Sequence, residues 1–242
     1  MSSEPRVRPL GDAAATVTFG DSIDPDSHER ALGLSAQLAV EAPPGVIEWA
    51  PAFASVTLWY DPDNIGFDAL RASLAPLLRE GARKKVEGAR FVIPFCHDAD
   101  LAPDLAETAA LKNLSPDQYI ECFADVVFEV AMLGFQPGFA YLGGLPHALD
   151  APRLATPRKN VHARSVAIAD GMCAAYPLDS PGGWRLIGRT PAPLFCARNP
   201  ERPALLTPGD KLRWRPIDRT TFERLEKQWA EDFSPDVLRL SA

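Results

Sequence analysis

The chain has 242 residues, 46% of them hydrophobic, and a formal net charge of −7 at pH 7. That length and apolar content suffice for one large domain or two modest ones. The negative balance argues against a general nucleic-acid grip, which needs a basic surface. No apolar run approaches the ~20 residues of a membrane span, and the opening MSSEPRVRPLGDAAA holds none long enough for a signal peptide. A cytoplasmic protein is therefore expected. Cys96, Cys122, Cys173 and Cys196 lack CxxC spacing and are expected as free thiols; His28, His97, His147 and His162 lack metal-ligand spacing, so no metal site is expected. The 24 prolines are spread along the chain, which suits many short strands joined by stiff turns.

Val7 to Phe19 reads as a strand pair broken at Gly11-Asp12. Asp24-Pro25 starts a helix that runs to about Val40, with Asp as the cap and Pro in the first helical position. Val46–Trp49 and Ser55–Tyr60 read as short strands. From Phe67 to Leu78 the apolar residues recur at helical spacing, with Pro76 placed to kink or shorten the helix. This order fits a small α+β domain over residues 1–85, and the charged, glycine-flanked Gly81–Gly88 reads as a linker.

Arg90–Phe95 is a predicted strand and Asp104–Leu111 a short helix. Ser115-Pro-Asp-Gln118 opens another helix with a Ser cap, Pro first and Gln third. Val126–Leu133 is a strand. Further strands are predicted at Ser165–Ala169, Ala174–Tyr176, Trp184–Arg189, Pro193–Ala197 and Lys211–Pro216, with a hairpin-type turn at Thr207–Asp210. Short strands at this spacing argue for a closed or nearly closed barrel over residues 90–220. Thr220-Thr-Phe-Glu223 has the capping-box pattern for a C-terminal helix in a final segment, 221–242.

Two segments stand out, Gly134-Phe-Gln-Pro-Gly-Phe-Ala-Tyr-Leu-Gly-Gly144 and Tyr176-Pro-Leu-Asp-Ser-Pro-Gly-Gly-Trp-Arg-Leu-Ile-Gly-Arg-Thr-Pro191. Glycine lets the backbone turn or approach a ligand, proline fixes its direction and aromatic rings supply contact area. A ligand cleft between them is expected, lined by Gln136, Gly138, Tyr141, Gly182 and Gly183, with Phe135 and Phe139 as apolar walls or core. Arg158, Arg185 and Arg189 each offer a planar fork for a carboxylate or phosphate, or else an internal ion pair to Asp179 or Asp170. Arg185, between bulky neighbours, also reads as outward-pointing. Asp179 reads either as a holder of its turn or as an acid/base group.

The run GFQPGFAYLGGLP, followed by RLATPR, SVAIA, YPLDSPGGWRLIGRTP and LLTPGD, resembles the allophanate hydrolase subunit 1 family, which overlaps the families of the 5-oxoprolinase B-type subunit and of KipI. The likeness covers about Phe91 to Ile217. It implies a cyclophilin-like β-barrel after a small α+β domain, within an α+β fold class. It further implies a second-subunit partner (allophanate hydrolase subunit 2-like) and ATP-dependent hydrolysis or carboxyl transfer on a small carboxylate-bearing amide or lactam. The alternative it implies is a non-catalytic regulator that inhibits a sensor histidine kinase. Prolyl isomerase activity would rest on fold analogy alone.

Where relatives show Cys-Tyr-Gly-Gly, this chain has Cys96-His97-Asp98-Ala99; Arg164 stands for a glycine, and Met172 and Cys173 stand for Gln and Thr. With His162, these residues form an altered pocket in the expected ligand-facing stretches: either a new ligand or a closed pocket. Gly183–Thr190 has the outline of a phosphate loop but lacks its lysine and carries bulky Trp184, Leu186 and Ile187. No serine sits in a GxSxG elbow, and no lysine is flanked by methionines for biotin. ATP or biotin chemistry is expected only through partner subunits, with no cofactor in this chain.

Overall fold

A computed structural model describes residues 4–22, 24–80, 87–199 and 201–240. They fall into two compact units, Met1–Glu87 and Gly88–Ala242. Most of the predicted linker, residues 81–86, lies outside the described residues.

The first unit contains β1 (Arg6–Pro9), β2 (Ala14–Thr18), α1 (Pro25–Val40), β3 (Val46–Pro51), β4 (Ser55–Tyr60) and α2 (Phe67–Glu80). Its strands form an antiparallel sheet in the order β1-β2-β4-β3. Ala15 and Val17 of β2 and Val56, Leu58 and Tyr60 of β4 alternate toward one face, where they meet Leu34 and Leu38 of α1 and Leu70 and Leu74 of α2. Asp24 caps α1 by accepting from the Ser27 amide at 3.0 Å. Pro76 lies inside α2, which continues past it to Glu80.

The second unit opens with β5 (Arg90–Phe95), α3 (Leu105–Ala110), α4 (Pro116–Ala124), β6 (Phe128–Leu133) and β7 (Ala140–Gly143). It continues with β8 (Arg158–Val161), β9 (Ser165–Ala169), β10 (Met172–Ala175), β11 (Ser180–Gly182), β12 (Arg185–Arg189), β13 (Lys211–Pro216) and α5 (Arg219–Glu231). Seven strands pair in the order β12-β9-β10-β7-β6-β13-β5. The two ends of that order meet at one backbone bridge: the Cys96 and Arg189 amides each donate to the other's carbonyl at 2.8 Å. The sheet is thus a nearly closed barrel. Gly188 permits the seam, because a Cβ there would lie 2.5 Å from the Phe95 ring and 2.9 Å from the Cys96 carbonyl oxygen.

Both faces of β9 and β10 are covered. Val166, Ile168, Cys173 and Ala175 face the barrel core with Phe95, Phe128 and Trp214. Ala167, Ala169 and Ala174 face an outer layer with Phe139, Tyr176 and Trp184. Asp170 and Gly171, both at positive φ (50° and 78°), close the β9–β10 hairpin in the two-residue turn that suits strand twist. Ser115 and Gln118 form the predicted capping box of α4.

Several expectations are corrected. Pro193–Ala197 forms no strand, only an isolated bridge between Phe195 and Ala204, because Pro191 and Pro193 cannot donate to a ladder. Thr207–Asp210 is a turn closed by the Asp210 amide on the Thr207 carbonyl, but it does not join paired neighbours: β13, which follows it, runs parallel to β5 and antiparallel to β6. The last helix is capped by Asp218, which accepts from the Thr221 amide at 2.7 Å, so it starts at Arg219 rather than after Thr220. The C-terminal helix packs within the second unit. α5 buries Phe222 and Trp229 within the second unit, and the Leu240 amide donates to Arg90, covering the free edge of β5. Among the described residues no helix is long and apolar enough to cross a membrane.

Candidate functional site

The two glycine- and aromatic-rich segments pack against each other. Phe139 is the hub, with ring centroids 5.3 Å from Phe135, 4.9 Å from Tyr141, 5.3 Å from Tyr176 and 6.0 Å from Trp184. Gly138 takes φ +80° and seats against Leu194 and Phe195, where a Cβ would clash at 2.8 Å. Gly182 leaves room for the Tyr176 hydroxyl, which a Cβ would approach to 2.3 Å. Burial pushes the Tyr176 phenol pKa up. Phe135 is 63% exposed and sits at φ +67°, a left-handed conformation that costs a bulky residue about 1–2 kcal/mol. The Gln136 side-chain oxygen is buried with no hydrogen-bond partner. Tyr141 is half-buried within this aromatic layer.

Two of the predicted arginines fasten α3 to the barrel. Arg158 Nη2 donates to Asp104 Oδ1 at 2.6 Å, and the Leu186 amide donates to the other Asp104 oxygen at 2.7 Å. The Asp104 side chain is only 7% exposed. Arg185 is buried, not outward-pointing: Nε donates to the Pro152 carbonyl at 2.9 Å and Nη1 lies 3.0 Å from Glu107. Neither pairs with Asp179 or Asp170.

Arg189 sits elsewhere, at the barrel seam, with Arg164. Arg189 Nε donates to the Ala163 carbonyl at 3.0 Å, and Arg164 Nη1 donates to the Pro191 carbonyl at 3.1 Å. Both guanidinium groups converge on one oxygen of Glu226 in α5, Arg164 Nη2 at 2.6 Å and Arg189 Nη2 at 3.6 Å. Burial lowers the Arg164 pKa, Glu226 opposes that shift and Arg189 adds to it. Arg164 occupies φ +70°, where glycine is the unstrained choice. Asp179 accepts from the Ala163 amide at 2.6 Å, so it ties the adjoining loop rather than bonding locally within its own turn. His162 lies 3.8 Å from Asp179, and both side chains are more than half exposed. Asp98 and Asp100 both pair with Arg219, at the start of α5.

The model of the carboxyltransferase domain, subdomain C and D, matches residues 5–206. The chain belongs to that family. It is 34% identical over 240 residues to the B-type subunit of 5-oxoprolinase from Bacillus subtilis (strain 168), covering 94% of this chain and 99% of that one. The crystal structure of TTHA0988 superposes with a TM-score of 0.74 at 32% identity, over 88% of this chain. This chain spans 40% of that longer one. The urea carboxylase of Kluyveromyces lactis shares the fold, with a TM-score of 0.74 at 20% identity over 93% of this chain and 23% of its own.

Against this family background the altered pocket divides. Met172 and Cys173 are neighbours on β10 and therefore face opposite sides of the sheet. Met172 packs on the outer aromatic layer, whereas Cys173 is fully buried in the barrel core, where burial raises its thiol pKa. They cannot line one ligand surface. His97 is half-buried with its ring 6.1 Å from Phe95. Arg164 joins Arg189 and Glu226, and His162 lies on the exposed rim beside Asp179. The phosphate-loop outline at 183–190 is mostly strand β12, with Trp184, Leu186 and Ile187 buried, and that extended backbone is no nest of donors. A barrel cavity of about 10 Å³ lined by Gly138, Leu142, Leu194 and Trp214 has room for about one water. Among the described residues no group of His, Cys, Asp or Glu is placed to hold a metal. Sequence reading missed Asp104 and Glu226, which decide what the arginines do.

Proposed function

We propose that this chain is the B-type subunit of an ATP-dependent 5-oxoprolinase complex, acting on 5-oxoproline or a closely similar small lactam carboxylate. One observation carries the reading: the match to the B-type subunit of the Bacillus subtilis 5-oxoprolinase runs nearly end to end in both chains. The likeness to urea carboxylase supports the fold alone.

Re-closure of the opened ring is intramolecular and therefore strongly favoured, so coupling to ATP supplies the drive for opening the lactam. Nucleotide handling is assigned in this reading to a partner subunit, which the strand at Arg185–Arg189, in place of a phosphate loop, supports. This chain would supply the arginine groups that recognise the substrate carboxylate. The exposed Phe135 loop is the surface assigned to the second-subunit partner, in a complex placed in the cytoplasm. A stable interface of this kind buries at least ~1,000 Å².

Co-expression with the second-subunit protein, followed by light scattering and an assay of ATP-dependent 5-oxoproline consumption, tests the reading. A co-eluting complex that consumes 5-oxoproline only with ATP is expected. Separate elution at micromolar concentration, or a complex inert toward 5-oxoproline, would overturn it and favour a binding module.

A further inference from the structure

We propose that Arg164 and Arg189 form a carboxylate-binding cradle at the barrel seam, occupied at rest by the Glu226 side chain, which a small carboxylate ligand replaces. The inference deepens the function proposed above and rests on it only for the choice of 5-oxoproline as the probe.

Three features carry it. The first is stoichiometry: two guanidinium groups share a single carboxylate, and among the described residues neither makes another ion pair. Two planar forks can satisfy more acceptor oxygens than the one that Glu226 presents to them. The second is preorganisation. Each guanidinium is held by a backbone carbonyl, Ala163 for Arg189 and Pro191 for Arg164, so neither depends on Glu226 for its position. The loop that carries Ala163 and Arg164 is itself pinned by Asp179 on the Ala163 amide. The third is the mobility available to the occupant. Glu226 is 31% exposed, and its side chain can rotate toward solvent while α5 stays in place. The helix is seated independently by buried Phe222 and Trp229 and by Arg219 on Asp98 and Asp100. Arg219, Phe222, Glu226 and Trp229 follow a three-four-three spacing, which puts all four on the side of α5 that faces the barrel. Glu226 is thus a tethered competitor in a site shaped for a free carboxylate.

The competing account is an ion-pair cluster that only pins α5. Calorimetry of 5-oxoproline binding to the full chain, wild type against Glu226→Gln, separates the two. Removing the tethered competitor is expected to tighten binding by at least about tenfold, equivalent to about 1.4 kcal/mol. The gain should vanish when Arg189→Gln is added, and 2-pyrrolidinone, the same lactam without the carboxylate, should show none. Unchanged affinity in a folded Glu226→Gln protein, or an equal gain for 2-pyrrolidinone, would overturn the cradle. Should that variant not fold, the wild-type chain still decides. Titration with 5-oxoproline is expected to move the Arg189 Nε–H resonance, and no movement up to the solubility limit overturns the proposal. Turnover by the co-purified complex is read separately. Turnover without the binding gain removes the cradle and leaves the function, and the gain without turnover does the reverse.

Discussion

Two arginine sites in the same barrel are built on opposite principles. At α3, Arg158 meets Asp104 one to one; both carboxylate oxygens are engaged, and the aspartate is almost completely buried. At the seam, Arg164 and Arg189 share one carboxylate, and all three side chains are roughly a quarter to a third exposed. A buried one-to-one pair that also accepts a strand amide is a fastener, since removing either member leaves an uncompensated charge or donor. Spare donor capacity exists at both sites, since Arg158 Nη1 is itself buried without a partner; what sets the two-to-one cluster apart is its unequal charge ratio and its access to water. The chemistry of the side chain is the same in both places; the ratio of charges and the access of water decide its use.

The largest expected effect tests the fastener. Asp104→Ala strips Arg158 of its counter-charge and leaves the Leu186 amide without its carboxylate acceptor. Breaking a buried pair costs about 3–5 kcal/mol, and the partial exposure of Arg158 places this one near the lower end, about 3 kcal/mol. Urea unfolding should show a lowered midpoint with an unchanged slope. A loss below about 1 kcal/mol, the range of surface pairs, would erase the distinction between the two sites.

Local devices were legible in the sequence, and distant pairings were not. Asp24-Pro25 and Ser115-Pro-Asp-Gln118 announce their helices because the cap and its target lie within a turn of each other. β7, β8 and β11 (AYLG, RKNV and SPG) have no such signal and exist through their partners. Arg158, Arg185 and Arg189 were identifiable as functional-looking cations, but Asp104 lies 54 residues from Arg158 and Glu226 lies 62 from Arg164. No spacing rule reaches that far. Two signals were present and went unused. Asp170-Gly171 is a strong hairpin marker. Strand alternation alone forbids Met172 and Cys173 from sharing a pocket.

A smaller effect is expected on the seam side. Glu226→Gln should lower unfolding stability by about 1 kcal/mol or less, because the guanidinium groups keep their backbone acceptors and can hydrate. The same urea titration measures it. A loss matching the roughly 3 kcal/mol expected at Asp104 would show the seam to be a second fastener and would count against the cradle.

The smallest effect concerns how α5, the carrier of Glu226, is held at its first turn. Hydrogen bonds from the Thr221 amide and hydroxyl keep the exposed Asp218 carboxyl below its ordinary pKa. A carboxyl with a depressed folded-state pKa contributes stability above its unfolded value, about 3.9, and that contribution is lost as pH falls through the folded value. The cap is therefore intact at neutral pH and released only in acid. Following the Thr221 amide resonance against pH should give a midpoint below the ordinary aspartate value. Asp218→Asn, which caps about as well without a titrating proton, should leave that resonance flat through the same range. A wild-type midpoint at or above about 3.9 would mean that the cap is not formed in solution. The seating of α5, and with it the position of Glu226 over the two arginines, would then rest on Arg219 and the buried aromatic residues alone.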